Sequence, residues 1–266
     1  MGANIKSLRT RIKSVTSTLH LTHAMGLVAS SKIRKATQQM LNGRDYDTAM
    51  GTLLDLLTAD PACARSPYMQ RREGKTLLVV IAGDRGLAGG YNANVFRTVR
   101  EYPDAEILPI GKRACDRFGG DLLSSEKFDT ATAYAMATDL CRRFAAGGYA
   151  RVGILYTHYE SMMKQEPDIR WILPLTRPET APKSAILFEP DEQTILQTAV
   201  PEYVTGALMA AVRESFACEV VARRMAMDSA GKNANEMIAD LQLQYNRARQ
   251  GNITQEITEI VAGANA

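Results

Sequence analysis

Residues 1–44 contain no acidic side chain, no Phe, Trp or Tyr and no proline. Each absence excludes something. With no acidic neighbour, the eight basic side chains of the stretch (Lys6, Arg9, Arg11, Lys13, Lys32, Arg34, Lys35 and Arg44) lack a local counter-charge, and their complement is expected on another surface. With no Phe, Trp or Tyr the usual stacking platform for a base is missing, which argues against single-stranded nucleic acid as that complement. With no proline, nothing interrupts a helix. Proline is missing from the other end too, since all ten lie between Pro61 and Pro201. The four cysteines, Cys63, Cys115, Cys141 and Cys218, match neither a metal-site nor a CxxC spacing and read as free thiols in a reducing compartment. No run approaches the ~18 consecutive apolar residues of a membrane span, and residues near the N-terminus lack the apolar core of a signal peptide. A soluble, cytoplasmic location is expected, with room for docking on a membrane complex.

The full chain has 266 residues and a net charge of only +3, so the basic run is a local asymmetry rather than a general affinity for nucleic acid. What the stretch does contain is a stripe. Ile5, Leu8, Ile12, Val15, Leu19, Thr22, Gly26, Ala29, Ile33, Ala36 and Met40 alternate by three and four without a break, the spacing of a coiled-coil seam. Every basic residue falls off that stripe. Proline-free segments of about 54 residues at the front and about 60 at the back would span roughly 80 and 90 Å as helices, more than the diameter of a domain this size. They are therefore expected to pair with each other and to project into something else.

In the C-terminal segment, Val204, Leu208, Ala211, Ser215, Cys218, Ala222, Met225 and Ser229 alternate in the same way, with small side chains that allow close helix approach. A register shift is expected at 231–235, leading to a second stripe of Met237, Leu241, Gln244, Ala248, Ile253, Ile257, Ile260 and Ala264. Between the ends, 75–83 (KTLLVVIAG) reads as a buried strand and 92–102 as a helix, the start of a βα unit. Strands are expected at 106–110 and 151–159, helices at 112–118 and 131–146, and edge strands at 171–175 and 185–188. The domain plan is a helix over 1–60, an α/β domain over 75–190 and a helix over 202–266.

The loop Gly83-Asp84-Arg85-Gly86-Leu87-Ala88-Gly89-Gly90 is the best candidate for a phosphate cradle, yet it lacks both the GxGxxG register and a following Gly-Lys-Ser/Thr. A turn that positions Asp84 and Arg85 for structural pairing is the preferred reading. His20 and His23 have metal-compatible spacing but no nearby carboxylate or thiol, and His158 stands alone near a strand end. No catalytic constellation, cofactor site or metal site emerges.

Three stretches resemble the gamma subunits of F-type ATP synthases: 21–36 (LTHAMGLVASSKIRKA), 83–94 (GDRGLAGGYNAN) and 241–264 (LQLQYNRARQGNITQEITEIVAGA). The last is the most specific, through Ile253, Thr254, Glu256, Glu259, Ile260, Gly263 and Ala264. The resemblance implies an antiparallel coiled coil of the two terminal helices with an inserted Rossmann-like α/β domain. It implies a non-catalytic rotor whose partners are three alpha and three beta subunits, an epsilon subunit and a membrane c-ring. The catalytic sites would lie on beta, and the complex on the cytoplasmic face of the inner membrane. It also implies ring contacts at Met25, Lys32, Arg34, Glu219, Arg223, Gln250 and Thr254, those on the last helix touching beta or facing the first helix near Met25. For Glu219 helix packing is the preferred reading. Two positions depart from the family: His23 where lysine is common, and Gly26 where a charged residue is. The paired regulatory cysteines of the chloroplast type are not matched, so no thiol regulation is expected. The competing readings are a nucleotide-binding α/β enzyme with helical dimerisation arms, and a helical-hairpin scaffold unrelated to rotation.

Overall fold

The computed structural model describes residues 2–178 and 188–264. Helix α1 (Gly2–Ala59) is followed by two short 3-10 turns, Pro61–Arg65 and Pro67–Met69. Then come β1 (Thr76–Ile81), α2 (Tyr91–Val99), β2 (Glu106–Ile110), α3 (Lys112–Phe118), α4 (Thr130–Ala145), β3 (Arg151–Tyr159), β4 (Gln165–Leu173) and α5 (Glu192–Ala264). The chain divides into two compact units: Ser31–Ala222, and residues up to Ser30 together with those from Arg223 onward.

In the Ser31–Ala222 unit the four strands are ordered β2-β1-β3-β4. The first three are parallel and β4 runs antiparallel to β3. β1 is apolar on both faces because both are covered, as parallel sheets require. Leu77, Val79 and Ile81 face a core shared with Val152, Ile154, Leu140 and Phe144, and with Leu57, Leu196, Val200 and Leu208 of the two terminal helices. Leu78, Val80 and Leu155 face Val95 and Val99 on the other side. Here α1 and α5 are part of the domain's main core.

Two expectations change. The last strand starts at Gln165, not at 171, because its first turn of residues is polar and half-solvated along a sheet edge and carries no apolar alternation. The suggested strand at 185–188 lies almost wholly outside the described residues. The last helix begins at Glu192, ten residues before 202, and runs through Pro201. Its start is capped by Asp191, whose carboxylate accepts from Thr194 N at 2.9 Å and Thr194 Oγ1 at 2.7 Å. A proline inside a helix costs ~3 kcal/mol; fully burying Leu196, Val200 and Val204 offsets it at roughly 1.5–3 kcal/mol each. The most apolar stretch of α5, with a mean hydropathy of 1.2, is 61% buried inside the protein, which accounts for its composition.

In the other unit, the stripe on α1 is buried or half-buried at each described seam position from Ile5 to Ala29, while Lys6, Arg9, Arg11 and Lys13 are exposed. The helices run antiparallel: Leu19 and Thr22 lie against Gly231, and Gly26 lies against Arg224 and Met227. On α5 the expected seam is buried from Val204 to Cys218 and half-buried at Ala222, and departs from expectation beyond it. Met225 and Ser229 are exposed, and Met237 and Gln244 as well. The covered positions include Arg224, Met227, Gly231, Ala234, Ile238, Leu241, Tyr245, Ala248 and Asn252, which by themselves make an unbroken three-four alternation. There is thus no shift at 231–235.

A Cβ on Gly26 would meet Arg224 Nη1 at 3.1 Å and Met227 Cβ at 3.7 Å. The nearest obstacle is the end of a flexible arginine, so the ~1 kcal/mol of helix propensity gained by alanine should exceed the cost of moving it. Gly26→Ala is expected to raise the melting temperature of the full chain by circular dichroism. A lower value would mean that the Arg224 position over Gly26 is worth more than the backbone term.

Candidate functional site

In an open α/β sheet, ligands enter the crevice at the carboxyl ends of the strands where the strand order reverses. Here β1 connects through α2 to β2 on one side, and the chain returns to β3 on the other, so that crevice lies beyond Ile81 and Thr157. It is plugged by the protein itself. Glu219 of α5 is only 2% exposed, and a Cβ on Gly83 would sit 2.6 Å from its carboxyl carbon. Ser215 Oγ accepts from Thr157 N at 3.0 Å, and Cys218 Sγ donates to Thr157 O at 3.4 Å. Glu214 Oε1 accepts from Tyr159 N at 2.9 Å and lies 2.9 Å from His158 Nδ1. Tyr91 OH donates to Ser215 O at 3.0 Å from a fully buried position, and burial pushes the phenol far above its ordinary pKa. One face of α5 therefore caps the exit of β3 with polar side chains. A carboxylate stands where a nucleotide fold would hold phosphate.

The 83–90 loop is organised around Asp84. Its Oδ1 accepts from Lys112 N at 2.9 Å and Ser125 N at 3.1 Å; its Oδ2 accepts from Ser124 Oγ at 2.6 Å and Glu126 N at 3.0 Å. Partial burial pushes the Asp84 carboxyl up, but these donors, Ser124 first, outweigh it and hold the group below the usual carboxylate range. Gly83 N donates to Asn92 Oδ1 at 2.9 Å and closes the loop. The neighbouring Arg85 Nη2 lies 3.3 Å from Glu126 Oε2, while Lys32 Nζ of α1 lies 2.5 Å from Glu126 Oε1. The hydrogen bond from Lys32, assisted by both positive charges, holds the Glu126 carboxyl low against partial desolvation and the nearby Asp84.

The residues expected to touch a subunit ring separate into several environments. Met25 is half-buried on α1 and Arg34 is exposed. Lys32 is engaged within the chain by Glu126. Glu219, for which helix packing is the preferred reading, is buried against Gly83. Arg223 is half-buried. Gln250 and Thr254 are exposed and one turn apart, with Thr254 Oγ1 donating to Gln250 O at 2.9 Å. They do not face Met25: the turn at Gly26 packs on Arg224 and Met227, so Gln250 lies roughly 35 Å further along α5. Ile253, Ile257, Ile260 and Val261 of α5 are exposed, from 43% to 70%. Leu21, Leu27 and Val28 on the outer face of α1 are exposed too. Ile253, Ile257 and Ile260, spaced by four and three, form one exposed apolar stripe on α5.

Sequence reading missed Glu126 as the partner of Lys32 and Arg85, because nothing local signals a contact across 94 residues. Among the described residues, no group of three His, Cys, Asp or Glu is placed to hold a metal. The four cysteines are buried free thiols, with Cys141 pushed up to about 12 by burial.

Gly83→Ala is expected to cost about 1–2 kcal/mol by forcing the Glu219 carboxylate aside, at the lower end of what overpacking costs. Urea unfolding checks it; an unchanged midpoint would show that the plug has slack.

The ATP synthase family model matches residues 4–266. The chain is 38% identical to the ATP synthase gamma chain of Ruminococcus albus, over 97% of this chain and 96% of that one. It is 36% identical to the sodium ion specific ATP synthase gamma chain of Acetobacterium woodii, over 100% and 99%. Its fold is similar to a chain in the Euglena gracilis mitochondrial ATP synthase OSCP/F1/c-ring structure, with TM-score 0.70 and 20% identity over 100% of this chain and 95% of that one.

Proposed function

Because the chain belongs to the ATP synthase gamma-chain family, we propose that its paired terminal helices turn inside a ring of alternating alpha and beta subunits whose beta members carry the catalytic sites. It is a subunit of a rotary, membrane-associated complex, and its work is mechanical. In this reading the helix pair makes three chemically identical sites differ at any instant, and rotation carries each through binding, synthesis and release. The α/β domain faces an epsilon subunit and a membrane c-ring, on the cytoplasmic side. Met25 and Arg34, with Arg223, Gln250 and Thr254, are the residues proposed to meet the ring, and Lys32 reaches it only at the expense of its pair with Glu126.

One observation carries the mechanical part. The helix pair has a complete internal seam, yet its outer flank is basic and the end of α5 is bare and apolar. A basic flank suits an acidic lining, and exposed ion pairs of ~0–1 kcal/mol each can be exchanged during a turn without locking. The apolar end suits a sleeve that grips without hydrogen-bond register.

Co-expression with alpha, beta and epsilon subunits tests this. One copy of the chain should purify with three alpha and three beta subunits, and ATP hydrolysis by that complex should rotate a bead on the α/β domain. A ring that assembles and hydrolyses ATP without incorporating the chain would overturn it. The competing enzyme reading is disfavoured by Glu219 in the crevice, and tight stoichiometric binding of ATP or NAD to the isolated chain would restore it.

A further inference from the structure

The acid-free run of α1 carries eight cations, and among the described residues only one of them, Lys32, has an ion-pair partner. That partner is Glu126, 94 positions along the chain. Its carboxylate is shared: Oε1 lies 2.5 Å from Lys32 Nζ and Oε2 lies 3.3 Å from Arg85 Nη2. All three residues belong to the Ser31–Ala222 unit. The turn that carries the carboxylate is fixed from behind, since Glu126 N donates to Asp84 Oδ2 at 3.0 Å and Lys127 N to Ser124 Oγ at 3.2 Å. We propose that Glu126 is an internal stand-in for a partner's carboxylate: it occupies Lys32 and Arg85 in the free chain and is displaced when an acidic segment of the surrounding ring takes them. The inference rests on the rotor reading above and adds the residue that limits how tightly the ring holds.

The exposures favour exchange over a permanent bond. The side chains of Lys32, Glu126 and Arg85 are 37%, 35% and 64% exposed, so water screens both pairs and each contributes little. Displacing Glu126 strands no buried charge, because its carboxylate already meets solvent. Its fixed turn makes it a persistent competitor, since it loses little freedom each time it returns to Lys32. Arg34 and Lys35, close by on α1, are exposed and have no ion-pair partner among the described residues, so an arriving acidic segment meets unanswered charge beside the answered one. The sign of the effect separates this role from a structural one. A bridge that served only to aim Lys32 at the ring would weaken the ring contact when removed, whereas a competitor strengthens it.

Reconstitution from limiting alpha and beta subunits, with epsilon and equal excess amounts of the parent and Glu126→Gln chains, tests the sign. Mass spectrometry of the purified complex should find the variant favoured about two- to fivefold at low salt, the span of one exposed pair. The ratio should approach one as salt rises towards ~1 M, where the Debye length is about 3 Å. In a Lys32→Gln background the preference should shrink, because one of the two contested cations is gone. Asp121→Asn, which removes an exposed acid that pairs with neither cation, should give no preference. In urea the isolated Glu126→Gln chain should be no more stable than the parent, so better folding does not explain its advantage. Glu126→Asp, which withdraws the carboxylate by one methylene, should be favoured in smaller measure and serves as the test if the amide variant does not fold. A low-salt ratio at or below one, or a preference undiminished by Lys32→Gln, would overturn the proposal. A parent chain left out of the assembled ring would instead overturn the rotor reading itself.

Discussion

Gly111→Ala is expected to cost more than about 4 kcal/mol, a loss large enough to leave the Ser31–Ala222 unit unfolded or nearly so. Gly111 leaves β2 at φ +94°, and a Cβ there would lie 1.9 Å from the carbonyl oxygen of Ala82 and 2.8 Å from its carbonyl carbon. Neither atom can retreat. Ala82 N donates to Ile110 O at 2.9 Å, and Gly111 N donates to Leu123 O at 2.7 Å, so the two strand exits are bonded in the positions that clash. The obstacle is backbone on both sides, unlike at Gly26, where a side-chain tip can swing away. Urea unfolding should show a midpoint shift too large for repacking to absorb. A variant within 1 kcal/mol of the parent would mean that β1 and β2 can part at their carboxyl ends.

Asp84→Ala is expected to cost about 2–4 kcal/mol, since it leaves three backbone N–H groups and the Ser124 hydroxyl without the carboxylate they converge on. Asp84→Asn keeps the shape but turns an amide N–H towards one of those donors, and should recover only part of the loss. The pH dependence follows from the sign of the shift. Asp84 is held below the usual carboxylate range in the folded chain, so folding gains stability from it above the unfolded value of about 3.9. That contribution disappears as pH falls through the lower folded value. The stability gap between the parent and Asp84→Asn should therefore be widest above the ordinary carboxylate range and narrow as pH falls through and below it. Glu126, Glu106, Asp129 and Asp191 are held low as well and weaken the fold in acid, but they are common to both proteins. A gap that stays constant with pH would show that the Asp84 carboxylate stabilises nothing by its charge.

The reach of sequence reading followed the range of the forces involved. The stripe from Ile5 to Met40 was legible because a helix repeats its environment every three or four residues, and a seam against one long neighbour imposes the same demand at every turn. The strand at Thr76–Ile81 was legible because its burial on both faces leaves an apolar run. The proline rule misplaced the start of α5, since it weighs a local penalty against nothing, whereas Leu196 and Val200 are buried beneath the sheet. The second stripe of α5 misled for a related reason. Up to Glu219 this helix packs on the sheet, the loop after β1 and α1 together, whereas the contacts from Arg224 to Gly231 are with α1, so the buried face changes with its neighbours. Sequence spacing also offered Ile253, Ile257 and Ile260 as one continued seam, while the structure leaves them bare.

At the site, the residue types spoke and the pairings did not. The absence of a phosphate motif in Gly83–Gly90 and the lack of any catalytic cluster pointed away from an enzyme, and Asp84 and Arg85 stood out as structural. Glu126 carried no signal, and Glu219 was read as packing without any sign that it packs into the chain's own crevice. By itself the sequence determined the two unbroken terminal helices, the basic flank of the first, and the α/β class between them, because propensity, periodicity and charge are properties of neighbouring residues. Only the tertiary structure decided which face of α5 is buried where, that a carboxylate fills the crevice a ligand would need, and that Lys32 is joined to Glu126. Those are contacts between residues far apart in the chain, and their energies exist only once the backbone has brought them together.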